Sequence, residues 1–450
     1  MLYRKIERNI IDHLRSKSNK ILMLDGARQI GKSYIIRHAA QQIFKNYVEI
    51  NLVEDKQGAG FFANCNTTDK FYFQLSMLAG ERLGTKEDTI IFLDEIQEYP
   101  HIITLLKFLR EDNRYTFITS GSLLGVTLSA EVVSLPIGSV EILHMYQLDF
   151  EEFLIANGFG ELALEHLRTR FLQEESLDET VHARVLELFK LYLLIGGLPD
   201  AVQTYLDTKN IVSVRSLHNS IHQMYVADAA KYDKEHKLKI RMIYNLMPSN
   251  LESKKKRIVY KDIENKKGAR YETYKDEFDY LISSGIALEV KAVSNPTYPL
   301  IQSATKNLLK LYINDVGLFT NLLYGKNIRA VLNDDESVNL GAVYESVVAS
   351  ELKSHGFSLY YYDNKKNGEV DYLIDDQDNL AVLPIEVKSG KDYTTHSALD
   401  KLIANKDYRV DKGYVLSNQR EVSKKGEIIY LPIYYVMFLK PNLTNDIYLP

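Results

Sequence analysis

Residues Gly26-Ala27-Arg28-Gln29-Ile30-Gly31-Lys32-Ser33 satisfy the pattern G-x-x-x-x-G-K-[ST], between a short apolar run and a segment of helical periodicity. No other feature narrows the fold so far. A glycine-rich turn that leaves a buried strand and opens a helix offers unpaired backbone N–H groups and a positive dipole end to an anion. In that setting the eight loop residues are expected to cradle the phosphates of ATP. Lys32 reaches the β- and γ-phosphates and Ser33 ligates Mg²⁺.

The surrounding pattern agrees with this context. Near-continuous apolar runs at 21–24, 47–52, 89–93, 115–119 and 140–148 alternate with segments such as 34–44 and 102–109, whose apolar residues recur at three- and four-residue spacing. Strands and helices in alternation predict an α/β fold, a parallel P-loop NTPase sheet with helices on both faces. The run Thr89-Ile90-Ile91-Phe92-Leu93-Asp94-Glu95 ends in two carboxylates, and a fully buried strand presents acids only where it opens onto a ligand crevice. Asp94 is expected to hold Mg²⁺, directly or through water, and Glu95 to polarise the attacking water. The next strand ends Thr119-Ser120-Gly121-Ser122. Ser120 is the candidate for contact with the γ-phosphate, with Thr119 and Ser122 less favoured and a plain turn an equal alternative.

The chain of 450 residues is long enough for two to four domains, and 45% hydrophobic with 26% charged residues excludes wholesale disorder. The 55 basic and 60 acidic residues leave a formal charge of −5, so any nucleic-acid affinity must lie in a local patch. A lone cysteine, Cys65, forms no internal disulfide. With no signal-like amino terminus and no apolar run approaching ~20 residues, a cytoplasmic protein with no membrane partner is expected. Changes of pattern divide the chain into 1–150, the P-loop unit; 151–235, helical; 236–333, winged-helix-like; and 334–450, a second α/β unit.

Several further motifs appear in order: IIFLDEIQ, FITSGS, LPIGSVEILHMYQLDFEEFL, GGLPDAV at 196–202 and LYINDVGLF at 311–319. Together with the phosphate loop they resemble the prokaryotic AAA-type ATPases that join an AAA_14 nucleotide-binding domain to a DUF4143 carboxy-terminal region. The resemblance covers nearly the whole chain. It implies an ATPase core in which Lys32, Ser33, Asp94 and Glu95 match the nucleotide-site motifs. It also makes a homo-oligomer a candidate assembly. Many relatives carry an arginine after the glycine matching Gly138, where this chain has Ser139 and Val140, so the identity of any γ-phosphate arginine stays open. Arg110 and Arg114 are candidates by position alone. Gln97 matches a DE-x-Q pattern without an assigned role.

In the middle segment, three expected helices and a hairpin over 237–298 resemble a winged helix, with a recognition helix at 269–283. The stretch Ser253 to Arg270 holds eight Lys or Arg against two acids, so DNA contact is expected mainly from Lys254 to Arg257, Lys266, Lys267 and Arg270. The recognition helix itself carries Glu272, Asp276, Glu277 and Asp279, which repel phosphate, so a solvated interaction module is an equal alternative.

In the last unit Glu345, Asp371, Glu386 and Lys388 follow the order Glu, Asp, Glu-x-Lys, which resembles the PD-(D/E)xK nuclease superfamily. Strand alternation puts Glu386 and Lys388 on one face, and a hairpin turning at 375–379 brings Asp371 alongside. Asp371 and Glu386 are candidate Mg²⁺ ligands and Lys388 a candidate catalytic residue, with Glu345 completing the site. The alternative is a fold kept for docking, its carboxylates paired with Lys388. Three functional readings follow: an ATP-hydrolysing protein that couples nucleotide state to a DNA-binding or nuclease-like region, a metal-dependent nuclease regulated by ATP, and a nucleotide-gated interaction protein with little turnover.

Overall fold

The computed structural model describes residues 2–16, 18–122, 136, 138–232, 237–325, 327–333, 338–390 and 392–441. The chain divides into two compact units, Met1–Gln147 with Asp279–Ile286, and Leu148–Phe278 with Ala287–Pro450. Three of the four segments expected from sequence therefore fall largely in one unit. The expected boundaries at 235 and 334–337 lie outside the described residues. No helix among the described residues is long and apolar enough to cross a membrane.

The first unit is a five-stranded sheet in the order β2-β3-β4-β1-β5. Its strands are β1 Ile21–Asp25, β2 Asn46–Asn51, β3 Thr89–Asp94, β4 Thr116–Gly121 and β5 Val140–His144. Every neighbouring pair is parallel. β1 and β3 are buried along their whole length, as their unbroken apolar sequences require. The helices are α1 Ile6–Arg15, α2 Lys32–Gln41, α3 Leu52–Gln57, α4 Thr68–Ala79 and α5 Pro100–Asp112. α3 is capped by the Asn51 side chain, which accepts from the N–H groups of Val53 and Glu54, and α4 by the Thr67 hydroxyl. Phe62, Phe71 and Leu75 pack with Ile91, Leu93, Ile102, Leu106 and Phe117 in one core. β5 is shorter than the apolar run 140–148 suggests, because its partner β1 ends at Asp25, opposite His144.

The second unit carries helices Phe150–Ala156, Glu161–Leu172, Glu179–Ile195, Pro199–Thr208, Ile211–Tyr232 and Lys237–Glu252. An eight-stranded mixed sheet follows, in the order β12-β13-β11-β10-β9-β8-β6-β7. Its strands are β6 Ala287–Val293, β7 Ala304–Ile313, β8 Tyr360–Asn364, β9 Gly368–Asp376, β10 Ala381–Lys388, β11 Gly413–Ser417, β12 Ser423–Lys425 and β13 Ile428–Pro432. The expected wing is thus not a free hairpin. β6 pairs with β7 on one side and, in parallel, with β8 on the other, which joins the middle segment to the carboxy-terminal strands. The returning strand also starts later than expected, because the Leu300 N–H is donated to the Asp375 carboxylate at 3.0 Å and a short 3₁₀ turn, Leu300–Gln302, intervenes. The expected recognition helix is shorter too: Tyr271–Thr273 forms a 3₁₀ turn and the α-helix spans Lys275–Ser283. The turn between β9 and β10 falls where the sequence predicts it, with the Asn379 backbone and side-chain N–H groups both donated to Asp376.

The GGLPDAV and LYINDVGLF motifs meet at Asp315, which is fully buried. Its carboxylate accepts from Gly197 N at 2.7 Å and from Leu318 N at 2.9 Å. A Cβ on Gly197 would lie 2.0 Å from the Leu148 carbonyl oxygen, so only glycine fits this approach. Burial lifts the Asp315 carboxyl to about 6 against the pull of its backbone donors. Asp315→Ala strands buried N–H groups at a cost of about 3 kcal/mol. Urea unfolding should show that loss, and an unchanged midpoint would contradict this role for Asp315.

Candidate functional site

The carboxyl ends of β1, β3 and β4 converge on the phosphate loop, and the strand order explains how. β4 lies between β1 and β3, so its terminal serines sit between the loop and the acids at the end of β3. The loop leaves β1 at Gly26, whose φ is 147° and where a Cβ would lie 2.3 Å from the Met145 carbonyl oxygen. It turns through Gln29 at φ 65° and enters α2 at Gly31, which precedes the helix in a left-handed conformation.

Lys32 is buried and donates to the carbonyl oxygens of Gly26 and Ala27, each at 2.8 Å. Burial pushes its ammonium below the ordinary value, while the carboxylates of Glu95, Asp25 and Asp94 act in the opposite direction. The Asp94 carboxylate gathers the other groups. Ser33 Oγ donates to its Oδ2 at 2.9 Å, Ser120 Oγ to its Oδ1, and Asn51 Nδ2 to Oδ2 at 3.4 Å. Burial raises the Asp94 pKa above the ordinary range; the Ser120 bond opposes this, the Glu95 charge adds to it, and the Ser33 bond opposes it again. Ser33 and Asp94 thus offer two hard oxygens side by side. That donor set fits Mg²⁺, which keeps several waters and takes the rest of its shell from one or two carboxylates and the phosphates.

Glu95 follows at φ 55°, in the left-handed region that non-glycine residues seldom occupy. Its Oε2 accepts from Gln97 Nε2 at 2.5 Å and from Ser122 Oγ at 2.8 Å. Arg28 Nε in turn donates to Ser122 Oγ at 3.2 Å. The structure therefore brings Lys32, Ser33, Asp94, Glu95 and Ser120 together with Arg28 of the loop, and adds two residues, Asn51 and Gln97, to which the sequence gives no part in this cluster. Asn51 has a legible signal: it is a polar residue ending an apolar strand, in register with Asp94. The partners of Arg28 and Gln97 have none, because their contacts depend on how the loop and the strand ends meet.

Arg110 and Arg114 do not reach this site. Both precede β4 and so lie at the end of the sheet opposite the loop. Arg110 donates to the Gly138 carbonyl at 3.1 Å, and Arg114 stacks 4.1 Å from the Tyr72 ring centre beside Asp112.

In the carboxy-terminal cluster Lys388 pairs with a carboxylate, as the docking alternative has it, and Glu345 has a partner that the sequence does not indicate. Lys388 Nζ donates to Glu386 Oε1 at 2.8 Å, and Asp371 Oδ2 accepts from Val387 N at 2.8 Å. Glu345 is paired with Lys256 and accepts from the Tyr312 hydroxyl at 3.0 Å. Burial, and then the charge of Asp371, push the Glu386 carboxyl up to about 8. Among the described residues no group of three or more His, Cys, Asp and Glu side chains is arranged to hold a metal ion. Two ammonium groups, Lys388 and Lys256, are paired with carboxylates of this cluster, Lys388 with Glu386 and Lys256 with Glu345. The expected DNA contacts narrow as well. Lys256 is held by Glu345, and Arg257 by Asp363 at 2.7 Å and Glu369 at 3.5 Å, which leaves Lys254, Lys255, Lys266, Lys267 and Arg270 exposed.

A parallel sheet with a phosphate loop after β1, and an Asp-Glu pair ending β3, defines a P-loop nucleotide-binding protein of the AAA type. Family models place it more narrowly: an AAA domain (AAA_14) matches residues 18–154, a domain of unknown function (DUF8612) matches 186–329, and another (DUF4143) matches 340–436. The chain belongs to the AAA-type family that joins an AAA_14 domain to a DUF4143 region. No curated protein matches it significantly. Among solved structures it is similar to the Walker-type ATPase PABY2304 of Pyrococcus abyssi, at 13% identity over 72% of this chain and 96% of that one, with a TM-score of 0.43. It is also similar to the ORC2 protein of Aeropyrum pernix, at 13% identity over 74% and 93% with a TM-score of 0.35. The Aeropyrum pernix ORC1 protein, solved in complex with DNA, gives 15% identity over 74% and 94% with a TM-score of 0.32.

Lys256→Met removes the partner of a buried carboxylate. It is expected to cost the second unit about 3 kcal/mol, read as a lower melting temperature. An unchanged melting temperature would show that Glu345 does not need this ammonium.

Proposed function

We propose that the chain is a Mg²⁺-dependent ATPase whose nucleotide state is transmitted to its carboxy-terminal region. The observation that carries this reading is the Asp94 carboxylate, joined to the Ser33 hydroxyl of the phosphate loop with Glu95 adjacent. A bound Mg²⁺ would take Ser33 and Asp94 as its protein oxygens and offset charge on the β- and γ-phosphates. Backbone N–H groups from Gly26 to Ser33 would hold the phosphates, and Lys32 would turn from the Gly26 and Ala27 carbonyls toward them. Ser120 donates to Asp94 and steadies it. Glu95 would accept the proton of the attacking water. A nucleotide-binding module without turnover needs no carboxylate beside the metal ligand, so Glu95 favours hydrolysis.

For the carboxy-terminal region, the Lys388–Glu386 and Lys256–Glu345 pairs favour a docking or structural role over cleavage of nucleic acid. The exposed cations of the basic segment support DNA as a partner, through phosphate contacts that weaken steeply with salt.

Purified protein should release phosphate from ATP with Mg²⁺, and both Lys32→Ala and Glu95→Gln should reduce turnover by at least about 100-fold. Lys32→Ala should also weaken ATP binding, whereas Glu95→Gln should leave it intact. Robust hydrolysis in both variants would contradict the proposal.

A further inference from the structure

Arg28 stands inside the octapeptide that wraps the phosphates, and its side chain leaves the loop toward the acids of β3. Its Nε donates to Ser122 Oγ at 3.2 Å, and Ser122 Oγ donates in turn to Glu95 Oε2 at 2.8 Å. The guanidinium therefore lies at the carboxyl end of β4, the strand between β1, which the loop leaves, and β3, which the acids end. It repels the Lys32 ammonium, so the two cations share one field, in which Glu95, Asp25 and Asp94 supply the opposite charge. A guanidinium carries five N–H donors in a planar fork and keeps its charge at any working pH; the Ser122 bond uses one of the five. Arg28 is only half-buried, so it keeps surface that a ligand in the crevice can touch.

The neighbouring arginines are placed for other work. Arg4 also touches the loop, but it is buried and donates its two Nη groups to the carbonyl oxygens of Ile30 and Tyr146, at 3.1 and 2.5 Å. Arg110 and Arg114 precede β4 and lie at the opposite end of the sheet. Phosphoryl transfer spreads negative charge over the oxygens of the transferred group, and an arginine that meets this charge raises kcat by a factor of about 10³–10⁵.

We propose that Arg28 is the γ-phosphate arginine of this site, supplied by the same chain that binds the nucleotide, and that it donates to a γ-phosphate oxygen of bound ATP. This rests on the ATPase reading above and adds to it the cation for the transferred group. The water oxygen bonds to the γ-phosphorus, and the bond from that phosphorus to the β–γ bridging oxygen breaks, with its electron pair leaving on ADP. The water proton passes by way of Glu95 to solvent or to the phosphate product. Arg28 gains and loses no proton. Its charge offsets the charge that builds on the phosphoryl oxygens, and its bond to Ser122 holds the fork on that side of the crevice. ADP lacks the group that Arg28 contacts, so the same residue distinguishes ATP from ADP.

The full chain tests this. Arg28→Ala should lower kcat at least about 100-fold. It should also weaken binding of a non-hydrolysable ATP analogue about 10-fold or more, while ADP affinity stays within about 2-fold of wild type. Unchanged kcat overturns the proposal. So does an equal loss of affinity for the analogue and for ADP, since Arg28 would then only shape the loop. A fall in kcat with analogue affinity unchanged would make Arg28 a support for Glu95 through Ser122, and overturns it as well. Mixing Arg28→Ala chains with Lys32→Ala chains, which keep Arg28, should restore no turnover, and wild-type turnover per chain should not change on dilution. Recovery in the mixture would show that a neighbouring chain supplies the cation, which overturns the proposal. Wild-type turnover per chain that rises with concentration overturns it too, even where Arg28→Ala fails to fold. Wild type that binds ATP without hydrolysing it would remove the ATPase reading and this inference with it. Each of the other negative outcomes leaves the ATPase reading standing.

Discussion

A buried carboxylate at the end of β3 organises the nucleotide site. Asp94 is costly to bury as an anion, and the chain offsets that cost with hydroxyl donors from two different elements, Ser33 on α2 and Ser120 on β4. Those bonds fix the start of α2 and the end of β4 relative to β3, and the strand order β2-β3-β4-β1-β5 makes this geometry available. Lys32 shares the same field. Its ammonium is buried among Glu95, Asp25 and Asp94, so the site balances an acid and a base that would each be unfavourable alone.

Much of this is legible in the sequence because its signals are local. The phosphate loop is one contiguous octapeptide, and the acids of β3 end an unbroken apolar run, so neither depends on distant contacts. Ser120 follows from strand order alone. The loss of Arg110 and Arg114 as site residues has a plain reason: proximity in sequence to β4 says nothing about which end of the strand a residue occupies, and both precede it. Gln97 is visible as a pattern without a role, since its meaning depends on a two-residue reach back to Glu95 across a backbone in the left-handed conformation.

The second unit shows the complementary limit. Its strands and the β9–β10 turn follow from alternation and turn residues, but the pairing of β6 with β8 crosses more than sixty residues of chain and leaves no local trace. The same holds for Lys256 and Glu345. From sequence one is expected to face a phosphate backbone and the other to complete a nuclease-like site; the fold pairs them, because a buried carboxylate draws whichever cation comes within reach. Asp315 illustrates how two motifs of unknown purpose acquire one. A carboxylate that accepts from Gly197 and Leu318 ties the GGLPDAV turn to the start of a helix more than a hundred residues later.

Single-turnover release of phosphate from ATP, with excess protein, is the most direct test of the nucleotide chemistry. With Mg²⁺ present, bound ATP should be converted stoichiometrically to ADP and phosphate, and chelating the metal should stop the conversion. ATP that binds in the presence of Mg²⁺ and is recovered intact would contradict the role assigned to Asp94 and Glu95.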